Sequence, residues 1–243
     1  MGYEPLIRFM KQMQGKLGSA LYAPLQSHTN PQHAAFIRQL QKELRAKEEL
    51  MIPLQELVVV VFDLETTGFF PEQGDQILSI GGVKVQGETL LESDTFYSMV
   101  RYDQKLEAHI QELTGLSEEE VRKAPLLEEV LVQFFKFAGN HILVAHHAAH
   151  EKKFMDAATR KVFRTPFQHR IVDTSFLLRI AEPKESWHHL EDWCTHCQIP
   201  VKNRHHALGD ALLAAQLWST SLQKIGSLGL HTLQDVYERL AKS

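Results

Sequence analysis

Only two cysteines, Cys194 and Cys197, occur in 243 residues. That excludes a disulfide framework and makes a reducing cytoplasm the expected setting. Long hydrophobic runs are missing as well. The longest purely apolar stretch is residues 57–62, LVVVVF, far short of the roughly 20 residues that a membrane-spanning helix needs, so no membrane association is expected. The amino-terminal MGYEPLIRFM lacks the apolar segment of a secretory signal, and Leu6 stands where a myristoylation motif wants Ser or Thr. Basic charge is not in excess: 26 Lys and Arg face 30 Asp and Glu, for a net charge of −4. A protein-wide basic coat for nucleic acid is therefore excluded, and any such binding has to be local. What is present suits a folded domain. Hydrophobic residues make up 44% and charged residues 23%, ordinary values for a globular chain that can bury its own core.

The first 50 residues carry a local excess of basic side chains, while the remainder is acidic. Phe36, Leu40 and Leu44 recur at helical spacing, which predicts an amphipathic helix over residues 34–50. Pro53 marks a boundary between a helical amino-terminal extension, 1–53, and a main domain, 54–243. Residues 57–62 read as a strand buried on both faces. Strands over 76–85 and 89–100, separated by Gln86-Gly87-Glu88, suggest a hairpin. Ser117 and Glu120 form a capping box opening a short helix, and 125–138 reads as a longer amphipathic one. Short strands are expected at 142–145 and 171–172, with helices over 148–162, 174–181, 190–196 and 206–222. The order predicts an α/β fold: a mixed sheet with one antiparallel hairpin, flanked by helices.

Three clusters could carry chemistry. In DLETTG, Asp63 and Glu65 are two apart at the end of a strand and so share a face. Like charges side by side there are unfavourable unless protons or a cation neutralise them, and a hard divalent cation suits carboxylate oxygens. A solvated acidic turn is the bland reading. In VAHHAAHEKKFM, Glu151 lies on the helical stripe of Phe154, Met155 and Ala158, an expensive place for a lone carboxylate. It is either a ligand or an edge residue whose head reaches solvent. Asp156, five residues on, falls on the polar side with Lys152 and Lys153. In HHALGDA, His205 and Asp210 are five apart. They can converge only if His205 precedes the helix and Asp210 sits in its first turn; taken alone, His205 reads as a surface or capping histidine.

Together, in this order, the three clusters resemble the motifs of the DEDDh exonucleases, the DnaQ-like family of the proofreading epsilon subunit of bacterial DNA polymerase III. The resemblance covers roughly residues 56–222 and extends to ILSIGGVKV, LTGLSEEEV and VDTSFLL between the motifs. It implies a ribonuclease H-like five-stranded sheet and 3′–5′ hydrolysis of single-stranded DNA or RNA ends to nucleoside 5′-monophosphates. It also implies two divalent ions, Mg²⁺ or Mn²⁺, held by Asp63, Glu65, Glu151 and Asp210, with His205 as general base. Thr66, Thr67 and Gly68 would bring backbone to the terminal nucleotide, Phe69 would stack on or wedge a base, and His147 would stand on the substrate side. The net acidity implies salt-sensitive binding unless a DNA polymerase or another replication or repair protein tethers the enzyme.

The second motif departs from the family, which usually has Asp where this chain has Glu151, and Asn where it has His147. Glu151 is the feature that would favour an alternative, a catalytically attenuated fold serving as a nucleic-acid or polymerase-binding module. A zinc site at Cys194 and Cys197, with His188, His189 and His196 nearby, has no second ligand pair at regular spacing. Leu190, Trp193, Cys194 and Cys197 instead share helical spacing, which makes Cys194 a core residue. Asp173 reads as a helix N-cap, outside the metal set.

Overall fold

A computed structural model describes residues 48–185 and 189–242. Most of the helix expected over 34–50, and His188, lie outside the described residues; a helical turn is present at 48–51. Five strands, β1 (Val58–Thr66), β2 (Ile77–Gln86), β3 (Thr89–Met99), β4 (Ile142–Ala145) and β5 (Ile171–Asp173), form one sheet in the order β3-β2-β1-β4-β5. The pairs β1–β2 and β2–β3 are antiparallel, while β1–β4 and β4–β5 are parallel. This is the mixed five-stranded sheet with an antiparallel hairpin that the strand pattern predicts.

The described helices are α1 (Ala108–Thr114), α2 (Glu118–Lys123), α3 (Leu127–Ala138), α4 (Ala149–Phe163), α5 (Thr174–Ala181), α6 (Leu190–His196), α7 (Ala207–Ser227) and α8 (Leu233–Leu240). The capping box of α2 closes as expected: Ser117 Oγ accepts from the Glu120 N–H at 3.3 Å, and Glu120 Oε2 accepts from the Ser117 N–H at 3.0 Å. Helices α1 and α8 are not foreseen in the sequence pattern, because each is too short to show a sustained apolar period.

Strand β1 runs through the middle of the sheet, and its alternation decides where the chemistry sits. Val59 and Val61 face one core, with Leu213, Ala214, Leu217 and Trp218 of α7. Val60, Phe62 and Leu64 face the other, with Val130 and Phe134 of α3 and Phe154 and Met155 of α4. Each such fully buried side chain contributes roughly 1.5–3 kcal/mol, so a one-residue slip of β1 would invert both cores at once. Continuing the same alternation puts Asp63 and Glu65 on the face of α7. Helix α7 crosses β1 and β2 closely, and Gly81 of β2 is why it can. A Cβ at Gly81 would run into the backbone of Ala207 and Leu208 at the start of α7.

Candidate active site

The parallel strands β1, β4 and β5 all end on the same side of the sheet, and the three motifs follow from those ends or pack over them, where open α/β sheets commonly carry their ligands. A register shift between Glu65 and Thr66 ends the regular pairing of β1 with β2; such an irregularity re-aims a strand end. Asp63, Glu65 and Asp210 come together, each offering a carboxylate oxygen within 4.8 Å of the others. Asp210 reaches them as the sequence requires: His205 lies in the loop before α7, with φ 59°, and Asp210 occupies the first turn. The His205 backbone N–H donates to Asp210 Oδ2 at 3.2 Å. His206, not His205, caps the helix, its Nδ1 accepting from the Gly209 N–H at 3.3 Å.

Glu151 approaches from the other side of the sheet, in the first turn of α4, and is 3% exposed. It lies on the buried stripe with Phe154, Met155 and Ala158, so the reading of an edge residue reaching solvent is set aside. Its carboxylate is close enough to raise the pKa of Asp63. Asp156 stands apart from this group: it accepts from Arg160 Nε at 2.7 Å and from the Phe167 N–H at 3.0 Å. It is thus tied down locally, where the sequence suggests only a solvated charge.

Burial and crowding shape the electrostatics. Burial, then the charges of Glu151, Glu65 and Asp210, push Asp63 well above the usual carboxylate range, with Arg204 opposing. Burial and the Asp210 charge raise Glu65 to about 8, and burial with the charges of Asp173 and Glu65 raises Glu151 to about 8 against the pull of a backbone hydrogen bond. Asp210 is also raised by burial, offset by Arg204 and His205. Four carboxylates whose ionisation is opposed by burial are a poor arrangement for stability and a good one for polyvalent cations. Two further atoms fit that reading. Glu151 Oε2 and Asp210 Oδ1 are buried and have no hydrogen-bond partner among the described residues, and hard divalent ions take such oxygens.

Two residues missed by the sequence analysis complete the surroundings. Arg204 hydrogen-bonds through Nη1 to Asp210 Oδ2 and pairs through Nε and Nη2 with Glu191 Oε1, both at 2.7 Å. Asp75 organises the loop after β1: Oδ1 accepts from Thr67 Oγ1 at 3.1 Å and Oδ2 from the Phe70 N–H at 2.9 Å. A side chain at Gly68 would strike the Asp75 carboxylate. The hydroxyl of Thr66 donates to the Gly68 carbonyl at 2.7 Å, and that of Thr67 also accepts from the Gln76 N–H at 3.0 Å. Both hydroxyls are therefore spent on shaping the loop. Phe69 projects from it, 72% exposed, with an edge-on contact to His150 at 5.8 Å. His147 is exposed, with φ 59°, in the turn before α4. Asp173 does cap α5, its Oδ1 accepting from the Ser175 N–H at 2.9 Å, and its Oδ2 also accepts from the Ala148 N–H at 3.0 Å. Cys194 is buried in the core beside Trp193, and burial pushes its thiol up to about 12.

The sequence from residue 60 to 218 matches the Exonuclease family. The chain is 31% identical over 177 residues to a PolC-type DNA polymerase III of Caldanaerobacter subterraneus subsp. tengcongensis, covering 73% of this chain and 12% of the relative. It is 32% identical over 193 residues to a DNA polymerase III subunit epsilon-like protein of Rhodobacter capsulatus, covering 78% of this chain and 27% of that one. The chain thus spans a minor part of both relatives. Among solved structures, the nuclease domain of 3′hExo, a DEDDh family member bound to rAMP, superposes with a TM-score of 0.60 at 21% identity, covering 68% of this chain and 92% of that one. E. coli Exonuclease I in complex with a dT13 oligonucleotide gives a TM-score of 0.61 at 13% identity, covering 71% and 42%. These two likenesses bear on the fold and agree with the ribonuclease H-like sheet. With most of its length matched by the family and relatives above 30% identity across about three-quarters of it, the chain belongs to the Exonuclease family.

Proposed function

We propose that the protein is a metal-dependent 3′–5′ exonuclease that hydrolyses single-stranded DNA or RNA ends to nucleoside 5′-monophosphates. The single observation that carries this reading is the convergence of Asp63, Glu65 and Asp210 within 4.8 Å, with the Glu151 charge acting on Asp63. Asp63, Glu65, Glu151 and Asp210 would hold two divalent ions, Mg²⁺ or Mn²⁺. Bound there, the ions supply charge neutralisation at phosphorus and water of lowered pKa. His205, in the loop before α7, would take the proton of the attacking water, as an imidazole can when it stands beside the metal-binding carboxylates. The internally bonded Thr66–Gly68 turn receives the terminal nucleotide, Phe69 stacks on or wedges its base, and His147 faces the sugar side. Residues 54–243 form the exonuclease unit, and residues 1–53 an extension that assigns no chemistry. A cytoplasmic setting suits the two free thiols. The relatives named above carry DNA polymerase III names, which supports a DNA polymerase or another replication or repair protein as partner and tether.

The test is stepwise shortening of a 5′-labelled oligonucleotide with Mn²⁺ or Mg²⁺, using matched DNA and RNA substrates. Asp63→Ala should reduce the rate by at least about 10³-fold, as loss of a group stabilising the transition state does. A wild-type protein that yields no ladder with either metal, while Glu151→Asp does, would establish the attenuated reading.

A further inference from the structure

Among the described residues, Arg204 is the cation whose charge acts on most of the acidic cluster. Its charge opposes the raised pKa values of Asp63, Glu65 and Asp210. It is held at two points. Nε and Nη2 pair with Glu191 Oε1 of α6, each at 2.7 Å, and Nη1 lies on Asp210 Oδ2. Its side chain is only 21% exposed, and that of Glu191 is 41% exposed. Burial works against its charge, but the bonds to Glu191 and Asp210 outweigh that and strengthen it. A guanidinium cannot shed its proton to make way for another cation and gives a planar fork that fits two carboxylates at once.

We infer that Arg204 is a built-in counter-cation of this site: tethered by Glu191, it neutralises Asp210 when no divalent ion is bound and competes with an ion for the Asp210 carboxylate, yielding Oδ2 as the ion binds. The residue thereby sets the ion concentration to which the site responds. This rests on the metal-binding reading given above. The geometry makes the exchange short. Oδ2 of Asp210 is the oxygen that Arg204 covers, and Oδ1 is the one left without a hydrogen-bond partner among the described residues. An ion can therefore engage Asp210 at Oδ1 first and gain Oδ2 as the guanidinium retreats to Glu191, whose carboxylate keeps the displaced charge paired. Arg204 is a positioning residue here: it acts through Asp210 and touches no reacting atom.

The experiment is calorimetric titration of the full chain with Mn²⁺ alone, without nucleic acid, in wild type and Arg204→Gln, together with melting curves in chelator and in Mn²⁺. Removing a unit charge a few ångströms from the ion should tighten Mn²⁺ binding by roughly tenfold after solvent screening. Arg204→Gln should also melt earlier in chelator and recover a larger increment on adding Mn²⁺. A residue that serves only packing would lower both melting points alike and leave the Mn²⁺ affinity unchanged; that result, or weaker binding, overturns the inference. Arg204→Lys keeps the charge but cannot span both carboxylates, so it should bind Mn²⁺ with intermediate strength and carries the test should the glutamine variant not fold. Wild-type protein that takes up no Mn²⁺ overturns the metal reading itself. Wild type that binds, with variants that bind no tighter, overturns only the role of Arg204.

Discussion

Raising the pH of the chelated protein from 6.5 to 8 should destabilise it. Glu65 and Glu151 both have an ordinary value of 4.5 and are pushed to about 8 in the fold, by burial above all and with neighbouring carboxylates adding to it. Between those values the folded chain holds protons that the unfolded chain has released, so stability is greatest at the acid side and is lost as pH rises towards 8. Carboxylates that hydrogen bonding holds low, such as Glu182 and Asp235, act only at more acid pH. His141 and His150, depressed by burial, act in the opposite sense, a contribution that fades as pH rises above 6.5. The acidic cluster therefore dominates the window from 6.5 to 8. One to two excess protons held by the folded chain, at about 1.4 kcal/mol per proton per pH unit over this window, correspond to roughly 2–4 kcal/mol. In a chain of this size that lowers Tm by about 5–15 °C. The assay is thermal melting in chelator at several pH values, repeated with Mn²⁺, which should flatten or reverse the slope because binding to the ionised carboxylates grows with pH. A melting point that rises with pH in chelator would refute the crowding of charge argued from these side chains.

Two substitutions separate substrate contact from architecture. Phe69→Ala, at a side chain 72% exposed, should leave Tm within about 1–2 °C and raise KM for single-stranded substrate by about tenfold, the effect of losing one base-stacking partner; steady-state kinetics on a labelled oligonucleotide checks it. Gly81→Ala, which drives a methyl group into the Ala207–Leu208 backbone, should cost about 1–3 kcal/mol as an overpacked contact does. It should also lower Mn²⁺ affinity, because Asp210 moves with the start of α7; denaturant melts and Mn²⁺ titration measure the two effects.

The sequence discloses what local periodicity controls. The alternation of β1 foretells that Asp63 and Glu65 share a face, and the 3.6-residue stripe of α4 sets Glu151 in line with Phe154 and Met155, while its burial, which the stripe leaves open, comes from the packing of α4. The five-residue gap from His205 to Asp210 demands a loop residue followed by a first-turn residue, which the backbone supplies. Arg204 and Asp75 are of another kind. Their partners Glu191 and Thr67 lie 13 and 8 residues away, and nothing in the local pattern distinguishes them from ordinary surface charges. Helix α8 was open to detection, since Thr232 and Asp235 form a capping box, but its eight residues make too few turns to advertise an apolar face. Helix α1 begins at Ala108, and Glu107 before it makes no side-chain cap, so its start carries no signal.

Asp173 clasps two helices with one carboxylate, one oxygen on the Ala148 N–H at 3.0 Å and the other on the Ser175 N–H at 2.9 Å. Because those bonds converge on a single planar group, the beginnings of α4 and α5 cannot slide past one another without breaking one of them. The turn that delivers Glu151 is thereby referenced to β5 at the edge of the sheet, and a displacement of that turn is resisted through the start of α5 as well as through its own loop.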